Sequence, residues 1–469
     1  MRAYIQNLRR IERDVGLFLL FQLLANVGYG VFQLVFNLYL YELDLREDFI
    51  GAVSAAQTVF MAIAGVSLGL FINRLGSWRC ISGGTILFLA TLIGLAFAER
   101  QLILVVLAAL SGIGLAYLFN TTMPFIMDWT RPDQRTQVAA LAFSLISLAI
   151  TVGSLVGGVV PSLLAWSIGS IDAGSATAYR WTMIVGAIIA FSSLIPLWMM
   201  GEARRGRPRE EQTAALVVET PTERRRVRLD MTAFIMTGGV MSLGVGMVIP
   251  FYNVFLATLG ANSRQIGYVY ALGGLAAAIV GLGAPAVANR LGPLRAVFVV
   301  RTSILPFYAL LILSPVYGVA ILAHMVRQTS ISMAWPIDST FIGELLPRRA
   351  RSSVFGLRSA AWNFGYALAS VIGGEVIVRS GYNATFIAIN LFTFLSALIF
   401  VGYFRRHPRV RSGEVGSVAG RPVTVNSMVR RWPWRKGAVG AMGSTSVTNG
   451  KRPARASAGL RRRRERANR

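Results

Sequence analysis

Five polar side chains recur through an otherwise apolar stretch near the start of the chain. Their spacing of three or four residues places them within about 80° of arc on one helix face, and the set is Gln22, Asn26, Tyr29, Gln33 and Asn37. An amide or hydroxyl without a partner in an apolar environment is costly. We therefore predict that this stripe lines a cavity and binds a small polar molecule. Hydrogen bonds between packed helices are the alternative.

A second polar stripe contains ionisable groups and comprises His324, Arg327, Gln328, Trp335 and Asp338. A charge such as Arg327 within an apolar segment is usually functional, and it could offer countercharge to an anionic solute. Arg327 and Asp338 lie about 16 Å apart along a helix, so each needs another partner. If protons drive the protein, Asp338 is the predicted carrier and His324 the second choice. The alternative is a structural charge network between helices.

The elements that must position these stripes are long apolar segments. Of the 469 residues, 54% are hydrophobic and 14% are charged, whereas soluble domains carry roughly a quarter charged residues. A membrane-spanning helix needs about 20 apolar residues, while barrel strands alternate over about ten. The sequence predicts an all-α multi-pass membrane protein with twelve transmembrane helices, near 15–41, 49–72, 80–98, 102–127, 137–166, 180–200, 230–258, 265–288, 296–314, 318–343, 353–378 and 383–404.

Several polar residues acquire an expected role from these segments. The eleventh segment carries a stripe made of Ser359, Asn363, Tyr366 and Ser370. Asn253 lies in the seventh segment and is expected to face the cavity opposite Asn37. Arg301 and Glu375 lie near segment ends, so we expect them to extend their charged groups to the membrane surface.

Arginines in the loops predict the orientation of the chain. They cluster before the first segment, after every second segment, in the break at 201–229 and in the tail at 405–469. Both termini and the break are therefore expected on the cytoplasmic side of a bacterial inner membrane. The tail holds more than half of the net charge of +26 and is predicted to be disordered. Because the charge is concentrated there, a nucleic-acid partner is not expected for the protein, and nucleic-acid binding through the tail stays an alternative.

The two halves of the chain repeat each other at a constant offset of 216 residues. The offset relates Asn37 to Asn253, and it relates Asn73-Arg74-Leu75-Gly76 to Asn289-Arg290-Leu291-Gly292. It spans six segments, so both halves face the same way. Parallel repeats about an axis along the membrane normal are a known transporter architecture. The predicted organisation is a first half at 1–200, a linker at 201–229, a second half at 230–404 and the tail.

The stretch from Gly69 to Arg79 resembles the signature loop of the major facilitator superfamily, with Asn73 in place of the usual Asp. That resemblance implies a cytoplasmic latch that holds the outward-facing state, and it assigns gating to Asn73, Arg74, Gly76, Arg79, Asp128, Arg135, Asn289, Arg290, Gly292, Glu344 and Arg351. The alternative is a basic turn that only sets topology. Gly153 and Gly157 match the family's antiporter motif, but Gly158 stands at its proline position and Pro161 comes late. This partial match counts against a proton-driven drug antiporter without excluding it.

The function expected from these features is transport of a small solute by alternating access, as efflux of a metabolite or drug-like compound. Nutrient uptake on the same fold and a non-transporting membrane sensor remain alternatives. We expect no enzymatic activity, cofactor or metal site, and a monomer in the lipid bilayer. The sequence Gly65-Val66-Ser67-Leu68-Gly69 matches a hydrolase nucleophile motif, but it lies inside an apolar helix with no strand before it.

Overall fold

The computed structural model describes residues 13–130, 135–201 and 221–412. The start of the chain, most of the predicted linker and the tail beyond residue 412 lie outside the described residues. So do the side chains of four predicted gating residues: Asn73, Asp128, Arg135 and Arg351. Within the described ranges the regular structure is helical and contains no strand, which confirms the all-α fold class.

The first half contains eight helices among its described residues, and two predicted segments are each built from a helix pair. The helices are α1 (Arg13–Glu42), α2 (Glu47–Leu75), α3 (Ser77–Phe97), α4 (Gln101–Asn120), α5 (Thr122–Trp129), α6 (Arg135–Ile168), α7 (Ala176–Ser192) and α8 (Leu194–Trp198). The helices α4 and α5 meet at Thr121, and α7 and α8 meet at Ser193. The half therefore fills the six predicted segments.

The second half also fills six predicted segments, but its helices break at other places. Its helices are α9 (Pro221–Val248), α10 (Tyr252–Thr258), α11 (Ser263–Gly281), α12 (Ala284–Leu291), α13 (Pro293–Thr302), α14 (Leu305–Leu313), α15 (Tyr317–Leu345), α16 (Arg348–Ser380), α17 (Tyr382–Phe404) and α18 (Pro408–Arg411). A 3₁₀ turn, Ile249–Phe251, joins α9 to α10. The described part of the predicted linker, from Pro221, already belongs to α9. Its first turns are rich in arginine, which is a good helix former.

Ten helices of the described chain are long and apolar enough to cross a membrane. The two remaining predicted spans correspond to α11 and α15, and α15 is the helix that carries His324, Arg327 and Asp338. Its ionisable residues lower its hydropathy, yet its length of 29 residues exceeds the roughly 20 that a span requires. The twelve-helix architecture is therefore consistent with the structure.

The sequence repeat reappears as repeated helix packing. A Cβ atom on Gly30 of α1 would lie 2.5 Å from the carbonyl oxygen of Ile150 in α6. Its repeat equivalent, Gly246 of α9, contacts the carbonyl oxygen of Tyr366 in α16 in the same way. Ile150 and Tyr366 are themselves related by the 216-residue offset. Each half therefore uses a glycine at the same place to bring its first and fifth spans together.

The two signature loops contain the turns that require glycine. Gly76 ends α2 with φ +84°, and Gly292 ends α12 with φ +76°. Residues with a Cβ rarely adopt this left-handed region, whereas glycine enters it freely. These two predicted gating residues therefore have a definite backbone role, which is to reverse the chain between two helices at equivalent places in the halves.

The halves pack together at one end of the bundle. We call the end with residues 43–46 and 259–262 the closed end, because the halves pack together there through α2 against α16 and α6 against α11. We call the end with the turns at Gly76 and Gly292 the basic end. Arg74 and Arg290 are exposed at the basic end.

Candidate functional site

A buried arginine lies near the middle of α15. Arg327 is 6% exposed and lies ten residues after the first residue of the helix, Tyr317, which is about 15 Å along the axis. Its Nη2 atom is 3.5 Å from Nδ1 of His324, one turn earlier. His324 is fully buried. The predicted polar face of α15 is thus directed into the protein at the level of these two residues.

Tyrosine rings surround this pair. The His324 ring centroid is 4.5 Å from that of Tyr270 in α11 and 5.3 Å from that of Tyr252 in α10. The Tyr252 hydroxyl donates a hydrogen bond to the Ala320 carbonyl oxygen at 2.7 Å. Tyr308 of α14 is a further electrostatic neighbour of Arg327. These three tyrosines were not among the predicted site residues, because each is a single polar tip in an apolar helix and belongs to no stripe.

Three buried polar atoms of this cluster have no hydrogen-bond partner among the described residues outside the cluster, although Arg327 lies within reach of the Tyr308 hydroxyl. They are Nε of Arg327, Nε2 of His324 and the hydroxyl oxygen of Tyr308. Buried polar atoms in native proteins are almost always satisfied by protein, water or ligand. Their concentration around one side chain indicates a place where a ligand could bind.

Other predicted site residues lie at the boundary between the halves. Tyr29 of α1 is half-buried and is an electrostatic neighbour of Tyr366 in α16, which also neighbours Arg327. Asn363 and Gln328 are half-buried, and Gln33 is exposed. Tyr366 is therefore within electrostatic range of both Tyr29 of the first half and Arg327 of the second, while the Tyr29 ring packs against Phe88 and Phe119 of its own half.

Gln22 and Asn26 are buried against protein, whereas the stripe was predicted to line a cavity. Both are fully buried, and Nε2 of Gln22 donates to Oγ1 of Thr122 in α5 at 2.5 Å. Nδ2 of Asn26 donates to the Gln22 carbonyl oxygen at 2.7 Å. In this conformation Gln22 makes a hydrogen bond between packed helices, which is the alternative interpretation of the stripe, and Asn26 bonds to Gln22 within α1. Helical spacing fixed their common face but not the neighbour that covers it.

Asn37 and Asn253 form a reciprocal contact between the halves. Nδ2 of Asn37 donates to the Pro250 carbonyl oxygen at 2.5 Å, and Nδ2 of Asn253 donates to the Leu34 carbonyl oxygen at 2.8 Å. The 216-residue offset relates Asn37 to Asn253 and also Leu34 to Pro250. The two hydrogen bonds are one contact made twice. We call this pair the asparagine clamp.

Breaking the asparagine clamp should favour opening of the closed end. A hydrogen bond contributes about 1 kcal/mol, so Asn37→Ala and Asn253→Ala should each raise the open fraction several-fold, and equally. Spin labels at Arg46→Cys and Arg264→Cys, both exposed, would report the distance across this end in a Cys80→Ser background. Gln33→Ala, on the same helix as Asn37, serves as the control. A shift in only one of the two variants would contradict the symmetric assignment.

Glycines bring the helices of the closed end into backbone contact. A Cβ on Gly158 of α6 would lie 2.8 Å from the Gly267 Cα and from the Ser263 carbonyl oxygen of α11. At the equivalent place, Gly374 of α16 meets the backbone of Glu47 in α2. Glu47 and Ser263 are again repeat equivalents. The closed end is therefore built from two pairs of glycine contacts related by the repeat.

Asp338 lies in a separate network inside the second half. Arg301 of α13 and Arg358 of α16 both bind its Oδ2 atom, the latter at 2.6 Å. Nη1 of Arg301 also donates to Oγ of Ser396 at 3.2 Å. Arg301 is 1% exposed, so the expectation that it extends to the membrane surface is wrong. Its position near a segment end was misleading because aromatic residues of α17 cover it, with the Phe400 ring centroid 5.1 Å from its guanidinium carbon.

The arrangement around Asp338 differs from the one expected of a proton carrier. Protonation would leave two guanidinium groups side by side without a counter-charge, in a cluster that already carries one excess positive charge. The network therefore resembles the structural alternative stated for the α15 stripe. Glu375, by contrast, is half-exposed and pairs with Arg379 one turn later at 2.5 Å.

The predicted gating residues that the structure describes lie at the basic end. Arg79, Asn289 and Glu344 are exposed there, as are Arg74 and Arg290. Near them, His407 follows α17 and lies 3.3 Å through Nε2 from Oδ2 of Asp230 in α9. Burial lowers the pKa of the His407 imidazole. Among the described residues no group of three or more His, Cys, Asp or Glu side chains could hold a metal ion.

Comparison with known proteins gives a consistent result. The sequence model of one protein family, the Major Facilitator Superfamily, matches residues 18–326 and 328–450 of this chain. YxaM of Bacillus subtilis (strain 168), an uncharacterized MFS-type transporter, is 20% identical over 82% of this chain and 95% of its own length. A homolog of the multi-drug resistance efflux pump PmrA from Lactococcus lactis subsp. lactis (strain IL1403) is 21% identical over 70% of this chain and 78% of its own length.

A solved structure shares the fold. The crystal structure of a D-xylose–proton symporter superposes with a TM-score of 0.63 at 15% identity, covering 82% of this chain and 97% of that one. Identity at this level supports the architecture alone.

Proposed function

This chain belongs to the major facilitator superfamily and is a membrane transporter, and we propose that it carries a small organic solute across the cytoplasmic membrane by alternating access. The observation that carries this proposal is the closed end. Its contacts, the asparagine clamp and the glycine pairs, all join one half to the other and occur twice through the repeat. Such an interface can open by movement of one half against the other while each half keeps its own packing.

The proposed direction of opening follows from the predicted orientation. If the arginine-rich loops face the cytoplasm, the closed end faces outward and this conformation is inward-facing. Alternating access then requires a second conformation in which Gly76 and Gly292 approach and the asparagine clamp is broken. The signature loops would hold that state, which is the role that the family resemblance assigns to Arg74 and Arg290.

We propose efflux of a metabolite or drug-like compound as the activity. The named efflux pump among the relatives supports this direction. Uptake is the second candidate, favoured by the fold shared with a proton symporter. A chain whose ends do not alternate would instead be a sensor. The transporter is proposed to work as a monomer without cofactor or covalent chemistry.

Two label pairs test alternating access directly. One pair, Arg46→Cys and Arg264→Cys, spans the closed end; the other, Leu75→Cys and Leu291→Cys, spans the basic end, and all four positions are exposed. Cys80, the only cysteine, is replaced by Ser. In lipid nanodiscs, conditions that lengthen the first distance should shorten the second. Distances that stay fixed, or that change together, would overturn the mechanism.

Direction requires a second measurement. Cells that express the transporter should contain less of the transported compound than control cells, and the medium should contain more, when small molecules are profiled in both. Higher content in the expressing cells would favour uptake. Because only expression differs between the two cultures, the profile itself reveals which compound is moved.

A further inference from the structure

We propose that the transported solute is a small organic anion with an aromatic or other apolar body, and that its negative group binds Arg327. This inference rests on the proposed transport function and names the substrate class. Arg327 is buried in the middle of a predicted span, where an uncompensated charge costs several kcal/mol. A charge in that position therefore needs a partner of opposite sign.

No carboxylate compensates Arg327 among the residues that the structure describes. The nearest acid along the same helix, Asp338, is about 16 Å further along the axis and is already held by Arg301 and Arg358. The neighbouring elements present only neutral groups to the guanidinium: Tyr252 of α10, Tyr270 of α11, Tyr308 of α14 and Tyr366 of α16. A bound anionic ligand would supply the counter-charge that the described residues do not.

The unpartnered atoms fit an anion. Nε of Arg327 can only donate, the Tyr308 hydroxyl can donate, and Nε2 of His324 donates in one of its tautomers. A carboxylate accepts several hydrogen bonds at once, and its bonds with arginine are among the strongest in proteins. A cationic solute would instead meet a positive charge and have no acid nearby to offset it. The site therefore favours anionic solutes over cationic ones.

The surroundings of the arginine suggest the rest of the solute. Tyr252 and Tyr270 pack their rings against His324, and Tyr29 reaches the same region from the first half through its neighbour Tyr366. Aromatic faces of this kind favour a flat or apolar body by stacking and burial. Because Tyr29 and Arg327 belong to different halves, a solute that touches both would sense the relative position of the halves.

Binding of matched probes tests the inference while the natural solute is still unidentified. The purified transporter is heated with benzoate, 1-naphthoate or indole-3-acetate, and separately with benzamide, 1-naphthamide and benzylamine. The carboxylates should raise the unfolding temperature, whereas their neutral amides and the amine should not. Equal stabilisation by the amides or the amine, or no stabilisation by any carboxylate, would overturn the proposal.

Two variants separate ligand binding from a structural role. Arg327→Gln keeps hydrogen-bonding capacity but removes the charge, so it should lose at least tenfold in carboxylate affinity while unfolding at the same or a higher temperature than the wild type. A structural arginine would instead lower the unfolding temperature on replacement. Arg358→Gln, which removes a buried arginine of the other network, should retain the carboxylate response. Loss of that response in both variants to the same degree would contradict the assignment to Arg327.

These results remain distinct from those that test the transport mechanism. Alternating distances with no preference for carboxylates would leave the transporter proposal standing and remove the anion. Carboxylate binding without any change in the label distances would support the anion site and contradict the transport mechanism.

Discussion

Asp338→Asn is expected to destabilise the second half more than any other single replacement of a charged residue discussed above. The change removes the only negative charge from a buried cluster that contains Arg301 and Arg358, and it leaves two guanidinium groups facing a neutral amide. Breaking a buried ion pair by removing one partner costs about 3–5 kcal/mol, because the remaining charge stays buried without compensation. Thermal unfolding in detergent, followed by tryptophan fluorescence, would measure the loss.

Two comparisons make the Asp338 prediction specific. Arg358→Gln should be much milder, because it leaves a neutral pair of Arg301 and Asp338. Glu375→Gln removes a carboxylate from a half-exposed pair and should cost less than about 1 kcal/mol. An Asp338→Asn protein as stable as Glu375→Gln would show that the network is not structural. If that variant also lost gradient-driven accumulation while retaining solute exchange, the proton-carrier role would be restored.

Adding a methyl group to Gly158 or Gly267 is expected to prevent the closed end from closing. In Gly158→Ala the new Cβ would lie 2.8 Å from the backbone of α11, and in Gly267→Ala it would lie 2.9 Å from the backbone of α6. Backbone atoms cannot avoid the new methyl group by a change of rotamer, as a flexible side chain can. Overpacking of this kind costs about 1–3 kcal/mol, which corresponds to a shift of roughly fivefold to 150-fold in the conformational equilibrium.

The label pairs at the two ends would detect this shift as a longer closed-end distance and a shorter basic-end distance. Transport should fall because the protein no longer returns to the conformation described here. Gly356→Ala in α16 is the matched control, since nothing lies within 4 Å of its Cβ position, and alanine favours a helix over glycine. A Gly158→Ala protein with wild-type distances at both ends would show that the contact yields without cost.

The polar stripes show what helical spacing predicts and what it does not. The spacing of Gln22, Asn26 and Tyr29 places them on one face of α1, and they share that face in the structure. It covers one end of the face with α5 and leaves Tyr29 near the second half. Spacing defines a direction around one helix axis, but it holds no information about which helix, or which solvent-filled space, lies in that direction.

Arg301 and Asp338 show the same limit for charge. Each was recognised as an ionisable residue in an apolar segment, and their 37-residue separation along the chain gave no reason to pair them. The contact arises because α13, α15 and α16 pack side by side, and that packing depends on apolar residues distributed over all three helices. Arg358 completes the network from a helix face that no stripe had marked.

The sequence by itself determined the apolar membrane-spanning segments and the two-fold repeat, because apolar length and a constant offset are properties of the chain read in order. It also indicated that Asn37 and Asn253 are equivalent. Only the tertiary structure decided that each of these asparagines binds the backbone of the other half. It alone also decided that glycines bring α6 into contact with α11, and that tyrosines rather than acids surround Arg327. Those contacts join residues from different helices, and their existence depends on how whole helices pack, which no local spacing encodes.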